Sequence, residues 1–419
     1  MTGSLWPMMM PLAEADDDSI CVVGAEGHRV RYADGNEVLC GTSGLWNANL
    51  GYGNEAIARA VAQALRTHSY AGVFRYENGP ARKAAGELLA AHPHDFARVV
   101  FSVSGGSAND LVMKLARQYH ELGGEGGRKL VVGLKDGYHG LTFGAHALTG
   151  EDLGQRAYGV DTRLVRHLPA NDEAALDKLF AALGRQIAAV VVEPVLGNGA
   201  VELSASFLAR LGALAEESGA LLVADEVATG FGRTGEMFAS GTWGRPPDVV
   251  LASKGLTNGT MAAAALLVNS RVADRFSSTG ALLLHGETQG GTAVTAAAVS
   301  ATLAEFERLK AVESGRAVAA ALDTALADWQ RTDARVRGFR GRGCFRAVEL
   351  ADPREPGAPL DPRQVPALIR HIRRAGAAVH GGPHGIQLIP ALTYSAAEVG
   401  ELLAAVRAGL DAHSGAAAA

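Results

Sequence analysis

Short apolar runs recur through the first two-thirds of the chain, each bounded by turn residues and most followed by a stretch of helical spacing. They are Val99–Val103, Leu130–Leu134, Ala188–Val195, Leu221–Ala224, Val249–Ser253 and Ala262–Val268. Runs of this length, too short for helices, read as buried strands. Between them Asn109–His120, Glu173–Leu183 and Ser206–Ser218 carry apolar residues at intervals of three and four, which predicts helices, and Gly219 supplies the stop of the last. Strand–helix alternation predicts an α/β fold, a mostly parallel sheet with helices on both faces. Upstream, the alternation around AEG and ADGN between residues 20 and 40 predicts a small antiparallel sheet. Ile57, Val61 and Leu65 then place one face of a helix, and a second helix is expected over Pro80–His92.

Downstream the pattern changes. An Ala-rich helix over Ala293–Leu309 leads into α+β spacing: a helix to Arg331, a strand at Cys344–Leu350, a helix at Arg363–Ala375 and a β region over Ala378–Leu392. The final helix opens on Ser395 and Glu398, a capping box. The expected division is an arm and small sheet over residues 1–50, a large domain over 51–308 and a smaller α+β domain over 309–419, which the N-terminal part joins.

Composition narrows the classes. A chain of 419 residues, 48% hydrophobic, can bury a large core. A net charge of −5 without a long Lys/Arg run gives no footprint for nucleic acid or an anionic membrane. Cys21, Cys40 and Cys344 are too few and too scattered for a disulfide framework or a metal site, so a cytoplasmic enzyme is expected. The N-terminus lacks a basic leader and is broken by Pro7 and Pro11, unlike a signal peptide.

The chemistry gathers at strand ends, where ligands of open α/β sheets bind. Asp225 and Lys254 stand there, each closing an apolar run. Most lysines are solvated surface charges, but one desolvated at such an edge is a nucleophile toward carbonyls. A buried carboxylate needs a partner, and a protonated pyridine nitrogen is one. Ser102–Asn109 sets two glycines among three hydroxyls and opens onto a helix, a pattern that suits a phosphate or an ordinary N-cap turn. Gly230–Gly235 fits G-x-G-x-x-G, but no helix follows its last glycine, so it reads as a connecting loop. A phosphate loop, an imine-forming lysine and an acid for a ring nitrogen together describe pyridoxal phosphate. Tyr138 and Val227 are candidates for the two faces of its ring, and either alone also reads as core packing.

With these residues in place, the chain resembles the class III, fold-type I aminotransferases over about residues 20 to 410. The motifs that carry the resemblance are LWNANLGYGNEAIARA, FSVSGGSANDLVMKLAR, GYHG, VVEPVLGNG, VADEVATGFGRTG, SKGLTNG, HGETQGGTA and RGRGCFRAVEL, in family order. The resemblance implies that Lys254 bonds the cofactor aldehyde carbon and carries the proton, while Asp225 holds the proton on the ring nitrogen. It implies that Gly105, Gly106 and Ser107 cradle the phosphate, Tyr138 stacks on the ring and Val227 backs it. It also implies a homodimer in which Thr288 reaches the phosphate across the interface. The implied reaction is ping-pong transfer of an amino group from an amino donor to a ketone or aldehyde.

Departures from the family pattern bear on the substrate. The usual S-G-S-E-A here reads Ser104-Gly105-Gly106-Ser107-Ala108, moving a hydroxyl from 106 to 107. Gln387 occupies the place of the arginine that clamps a substrate carboxylate, and Asn198 that of the glutamate that neutralises this arginine. Without a bidentate clamp the preference for a carboxylate weakens, so the expected acceptor is a ketone or aldehyde lacking one. Trp46 sits in a motif like that of the amine (ω) transaminases and is expected to wall the substrate pocket, with core packing as the alternative. SGLWNANLGYG and SGGSANDLVMKLARQYH most resemble aminotransferases of daptide-type ribosomal peptide pathways, which convert a C-terminal peptide ketone to an amine. An ω-amino acid:pyruvate transaminase, an aminomutase or a decarboxylase would keep the same fold and lysine.

Overall fold

The computed structural model describes residues 4–355 and 357–418. Its centre is a seven-stranded sheet in the spatial order Arg98–Ser102, Ala264–Val268, Val249–Ala252, Leu221–Asp225, Ile187–Val192, Leu130–Leu134, Val165–Leu168. Ala264–Val268 runs antiparallel to both neighbours, and the other adjacent pairs are parallel. Every residue of Ile187–Val192 and of Leu221–Asp225 is buried. A parallel sheet is covered on both faces, which is why its inner strands are apolar without alternation. Successive side chains still go to opposite faces: Leu221 and Val223 join one core cluster, Leu222 and Ala224 the other.

Several boundaries differ from the sequence reading. The strand expected to reach Val195 ends at Val192, because Pro194 has no N–H for a ladder. The edge strand Val165–Leu168, VRHL, is half polar and has no apolar run to reveal it. The helix expected from Asn109 spans Gly105–Leu122, capped by the Ser104 hydroxyl, which accepts from Ser107 N at 3.1 Å. The two glycines are therefore the first turn of that helix rather than a loop before it. Helix Glu55–His68 buries Ile57 and Ala64 and leaves Leu65 exposed, so the face predicted for it is rotated.

The two ends of the chain meet. Val22–Glu26, Arg29–Tyr32 and Glu37–Cys40 form an antiparallel ribbon, and Ala377–Ala378 pairs in parallel with its third strand. Helices Ala293–Arg308 and Ala311–Thr332 lead to a second four-stranded sheet in the order Val336–Arg342, Phe345–Leu350, Gly385–Leu388, His380–Gly382. The capping box of the last helix forms, with Ser395 N donating to Glu398 Oε2 at 2.7 Å and Glu398 N to Ser395 Oγ at 3.3 Å. Among the described residues no helix is long and apolar enough to cross a membrane.

Candidate active site

Asp225 ends its strand almost fully buried, and three donors fix its carboxylate. Oδ2 accepts from Asn109 Nδ2 at 2.8 Å and His139 Nδ1 at 2.7 Å, and Oδ1 accepts from Val227 N at 3.1 Å. Burial alone would lower the proton affinity of His139, but the hydrogen bond to Asp225 and the charges of Asp225 and Glu193 outweigh it, so the imidazole titrates above its ordinary value. Asn109 also donates to His139 O and Gly105 O, which joins the helix start to the Tyr138–Gly140 loop.

Close approach bears on two glycines here. A Cβ on Gly105 would lie 3.1 Å from Val227 Cγ1, and one on Gly140, at φ +119°, would lie 2.5 Å from Gly106 Cα. A bare backbone at the positive end of an 18-residue helix, beside a fixed carboxylate, is the setting a phosphorylated pyridine needs. The Ser107 N–H is taken by Ser104, and the Ser107 hydroxyl accepts from the Ser104 hydroxyl at 3.1 Å.

Lys254 follows the neighbouring strand in a left-handed backbone conformation, φ +41°, unusual for a residue with a side chain. The turn after it is tight: a Cβ on Gly255 would lie 2.8 Å from both Asn49 Nδ2 and Phe231 Cβ. Asn258 holds the turn by accepting from Leu50 N at 2.9 Å and donating to Gly51 O at 2.8 Å. Burial, with a smaller push from Arg233, lowers the proton affinity of Lys254 against the opposing charges of Glu193 and Asp225.

Lys254 Nζ lies 4.9 Å from the centroid of the Trp46 ring. Trp46 ends a left-handed turn in which Ser43, Gly44, Leu45 and Trp46 have φ of 46°, 54°, 62° and 63°. Such a turn costs of order 1–2 kcal/mol per non-glycine residue and persists only where its surroundings hold it. Ser43 Oγ donates to Ile389 O at 2.7 Å, and Asn47 Nδ2 donates to Gly44 O and Leu45 O. The indole meets Phe345 and His380 edge-on, at centroid distances of 5.6 and 4.9 Å.

Glu193 accepts from Tyr138 N at 2.9 Å and Gly197 N at 3.0 Å, and burial pushes its carboxyl up to about 7. The Tyr138 ring itself stays 41% exposed. Thr288 stands on the surface, its carbonyl accepting from Tyr70 OH at 2.9 Å. Its neighbour Glu287 accepts from Ser102 Oγ and Val103 N, fastening that segment beside the strand that leads into the glycine turn.

Asn109, His139, Glu193 and Arg233 also belong to this candidate site; each lies inside one of the sequence motifs, and its only sequence signal is nearness to Ser107, Tyr138, Pro194 and the glycines of GFGRTG. Arg233 is fully buried, donates to Cys344 O, Pro390 O and Asn49 Oδ1, and is pushed down to about 10 by burial.

Comparisons with known proteins agree on one lineage. The family model described as aminotransferase class-III matches residues 12–410. An amine transaminase from an uncultivated Pseudomonas species, solved in its PLP-bound form, superposes with a TM-score of 0.91 at 30% identity, covering 98% of this chain and 99% of that one. The acetylornithine aminotransferase of Bacillus subtilis is 30% identical over 93% of this chain and 94% of its own length. The adenosylmethionine-8-amino-7-oxononanoate aminotransferase of Nitratidesulfovibrio vulgaris is 31% identical over 94% of this chain and 77% of its own. The family match runs over nearly the whole chain, which belongs to the class III, pyridoxal-phosphate-dependent aminotransferases.

Proposed function

We propose that this aminotransferase passes an amino group to a ketone or aldehyde that carries no carboxylate beside its carbonyl, such as the C-terminal ketone of a ribosomal peptide of the daptide type. The observation that carries the reading is the neutral pair at 387 and 198. Gln387 is buried and uncharged where a carboxylate clamp would need a guanidinium, and Asn198 is uncharged where the partner of that guanidinium would stand.

Bound pyridoxal phosphate supplies an aldehyde that condenses with amines and a ring that draws electrons from the carbon on their nitrogen. Lys254 would offer its desolvated amine to that aldehyde and, as a free amine, would move the proton at the reacting carbon. Asp225, braced by His139 and Asn109, would hold a proton on the ring nitrogen. The backbone of Gly105 and Gly106 with the Ser107 hydroxyl would take the phosphate, Tyr138 and Val227 would flank the ring, and Trp46 would bound the substrate side.

We further infer a homodimer in which Thr288 reaches the partner's phosphate. Support comes from the exposure of Thr288 and from a nearby groove of about 990 Å³ whose lining includes the exposed Phe74, Tyr76, Leu282 and Leu284.

The acceptor reading is tested with the holoenzyme on a panel of keto acids and carboxylate-free ketones. Ketones are expected to turn over with the higher kcat/KM, and a clear preference for keto acids overturns the reading.

A further inference from the structure

Gln387 sits in the third strand of the C-terminal sheet, opposite Ala347 on one side and His380 on the other. Residues directly opposite in an antiparallel pair share a face, as do residues two apart on a strand. Phe345, Ala347, Gln387, His380 and, by continuation, Ile389 therefore project from one face. Phe345, Ala347 and Ile389 pack in one cluster with Trp46, and the His380 ring lies 4.9 Å from the Trp46 ring. Trp46 in turn lies over Lys254. Gln387 thus belongs to the apolar wall beside the reactive amine.

Two polar atoms buried in this wall have no partner among the described residues: Trp46 Nε1, a donor, and Gln387 Oε1, an acceptor. Their residues are 8% and 1% exposed. A buried polar atom without a partner is costly, and Phe and Leu would fill the same volumes without that cost. A carboxylate cannot satisfy the pair, because it offers only acceptors and leaves Gln387 Oε1 facing another acceptor; burial and the charge of Lys254 lower the proton affinity of His380, the other polar ring of this wall. A hydrocarbon satisfies neither atom. A secondary amide satisfies both, its carbonyl accepting from the indole and its N–H donating to the glutamine.

We propose that Trp46 and Gln387 form a subsite for a secondary amide of the amino acceptor, so that the substrate is an N-acyl amino ketone or a peptide ending in a ketone. The proposal rests on the carboxylate-free reading above and names the group that replaces the carboxylate.

The test compares kcat/KM of the holoenzyme for an N-acyl amino ketone, for the ester in which oxygen replaces the N–H, and for the all-carbon ketone. The amide is expected to exceed the ester by at least about tenfold. In Q387L that ratio falls toward one, and in Q387E, which still accepts from N–H, it is retained. In W46F, which keeps a ring but loses the donor, amide and ester both lose ground to the all-carbon ketone. An unreactive N-acyl amine should bind wild-type holoenzyme at least about tenfold more tightly than its ester in calorimetry. An amide-to-ester ratio near one in the wild type, or an undiminished ratio in Q387L, overturns this proposal while leaving the carboxylate-free reading in place. A preference for keto acids over every ketone overturns both.

Discussion

Replacing Glu193 by glutamine separates charge from hydrogen bonding in the wall behind Tyr138. The carboxyl is buried, and its rise from an ordinary 4.5 to about 7 means that the folded protein binds this proton more tightly than the unfolded chain does. Its contribution to stability is then fully present below about pH 4.5 and is lost as pH rises through about 7, where the ionised group costs about 3 kcal/mol. Glutamine has no charge to bury but offers one acceptor to the two N–H groups of Tyr138 and Gly197, a loss of about 1–3 kcal/mol at every pH. E193Q should therefore be the less stable protein near pH 5 and should draw level with or pass the wild type by about pH 8 to 9. A chain of this length unfolds with an entropy of about 0.9 kcal/mol/K, so the swing amounts to roughly 3–4 °C in Tm. Scanning calorimetry of both proteins across that range, freed of cofactor so that ligand binding adds no linkage of its own, measures it. A Tm difference that stays constant, or that widens against the variant as pH rises, refutes the reasoning.

Two further substitutions probe the scaffold. Gly140→Ala drives a Cβ against Gly106 Cα at a left-handed φ and should weaken pyridoxal phosphate binding by about tenfold or more, whereas Gly106→Ala, whose nearest contact is 3.5 Å from Thr142 Oγ1, should cost much less; titration of the cofactor's absorbance decides, and equal effects refute the close-approach account. Arg233→Met strands buried acceptors on Asn49, Cys344 and Pro390 and should lower stability by about 3–5 kcal/mol, with Arg233→Lys recovering only part of it; an unchanged denaturation midpoint in the methionine variant excludes the bracing role.

The placement of Asp225 and Lys254 was legible in the chain because its physics is local. A parallel sheet buried on both faces writes each inner strand as an unbroken apolar run, and an ionisable residue closing such a run stands out, as Asp225 and Lys254 do. His139 and Asn109 were not legible, because their role depends on reaching Asp225 from a loop and a helix 86 and 116 residues away in the chain. The start of the helix at Gly105 was hidden for another reason. Glycine is a poor helix former, and only the Ser104 cap and the close approach to Val227 and Gly140 reveal why it opens one.

The surroundings of Trp46 were less legible, and Arg233 explains how they are held together. Its guanidinium joins Asn49, three residues past the strained turn that carries Trp46, to Cys344, next to Phe345, and to Pro390, next to Ile389. The Cys344 N–H returns a bond to Arg233 O at 2.9 Å, and the Asn49 side chain donates to Phe231 O at 2.7 Å. Three segments far apart in sequence thus meet on one loop, and that loop is GFGRTG, whose glycines imitate a nucleotide motif. The positive φ of Phe231 and Gly232 bends this loop so that Phe231 covers Gly255, beside Lys254. A left-handed turn at Ser43–Trp46 would relax in an isolated peptide, and here it is fixed by bonds to Ile389 and by the bracing at Asn49. The position of Trp46 over Lys254 is therefore a property of the assembled ends of the chain, which no window of sequence around residue 46 encodes.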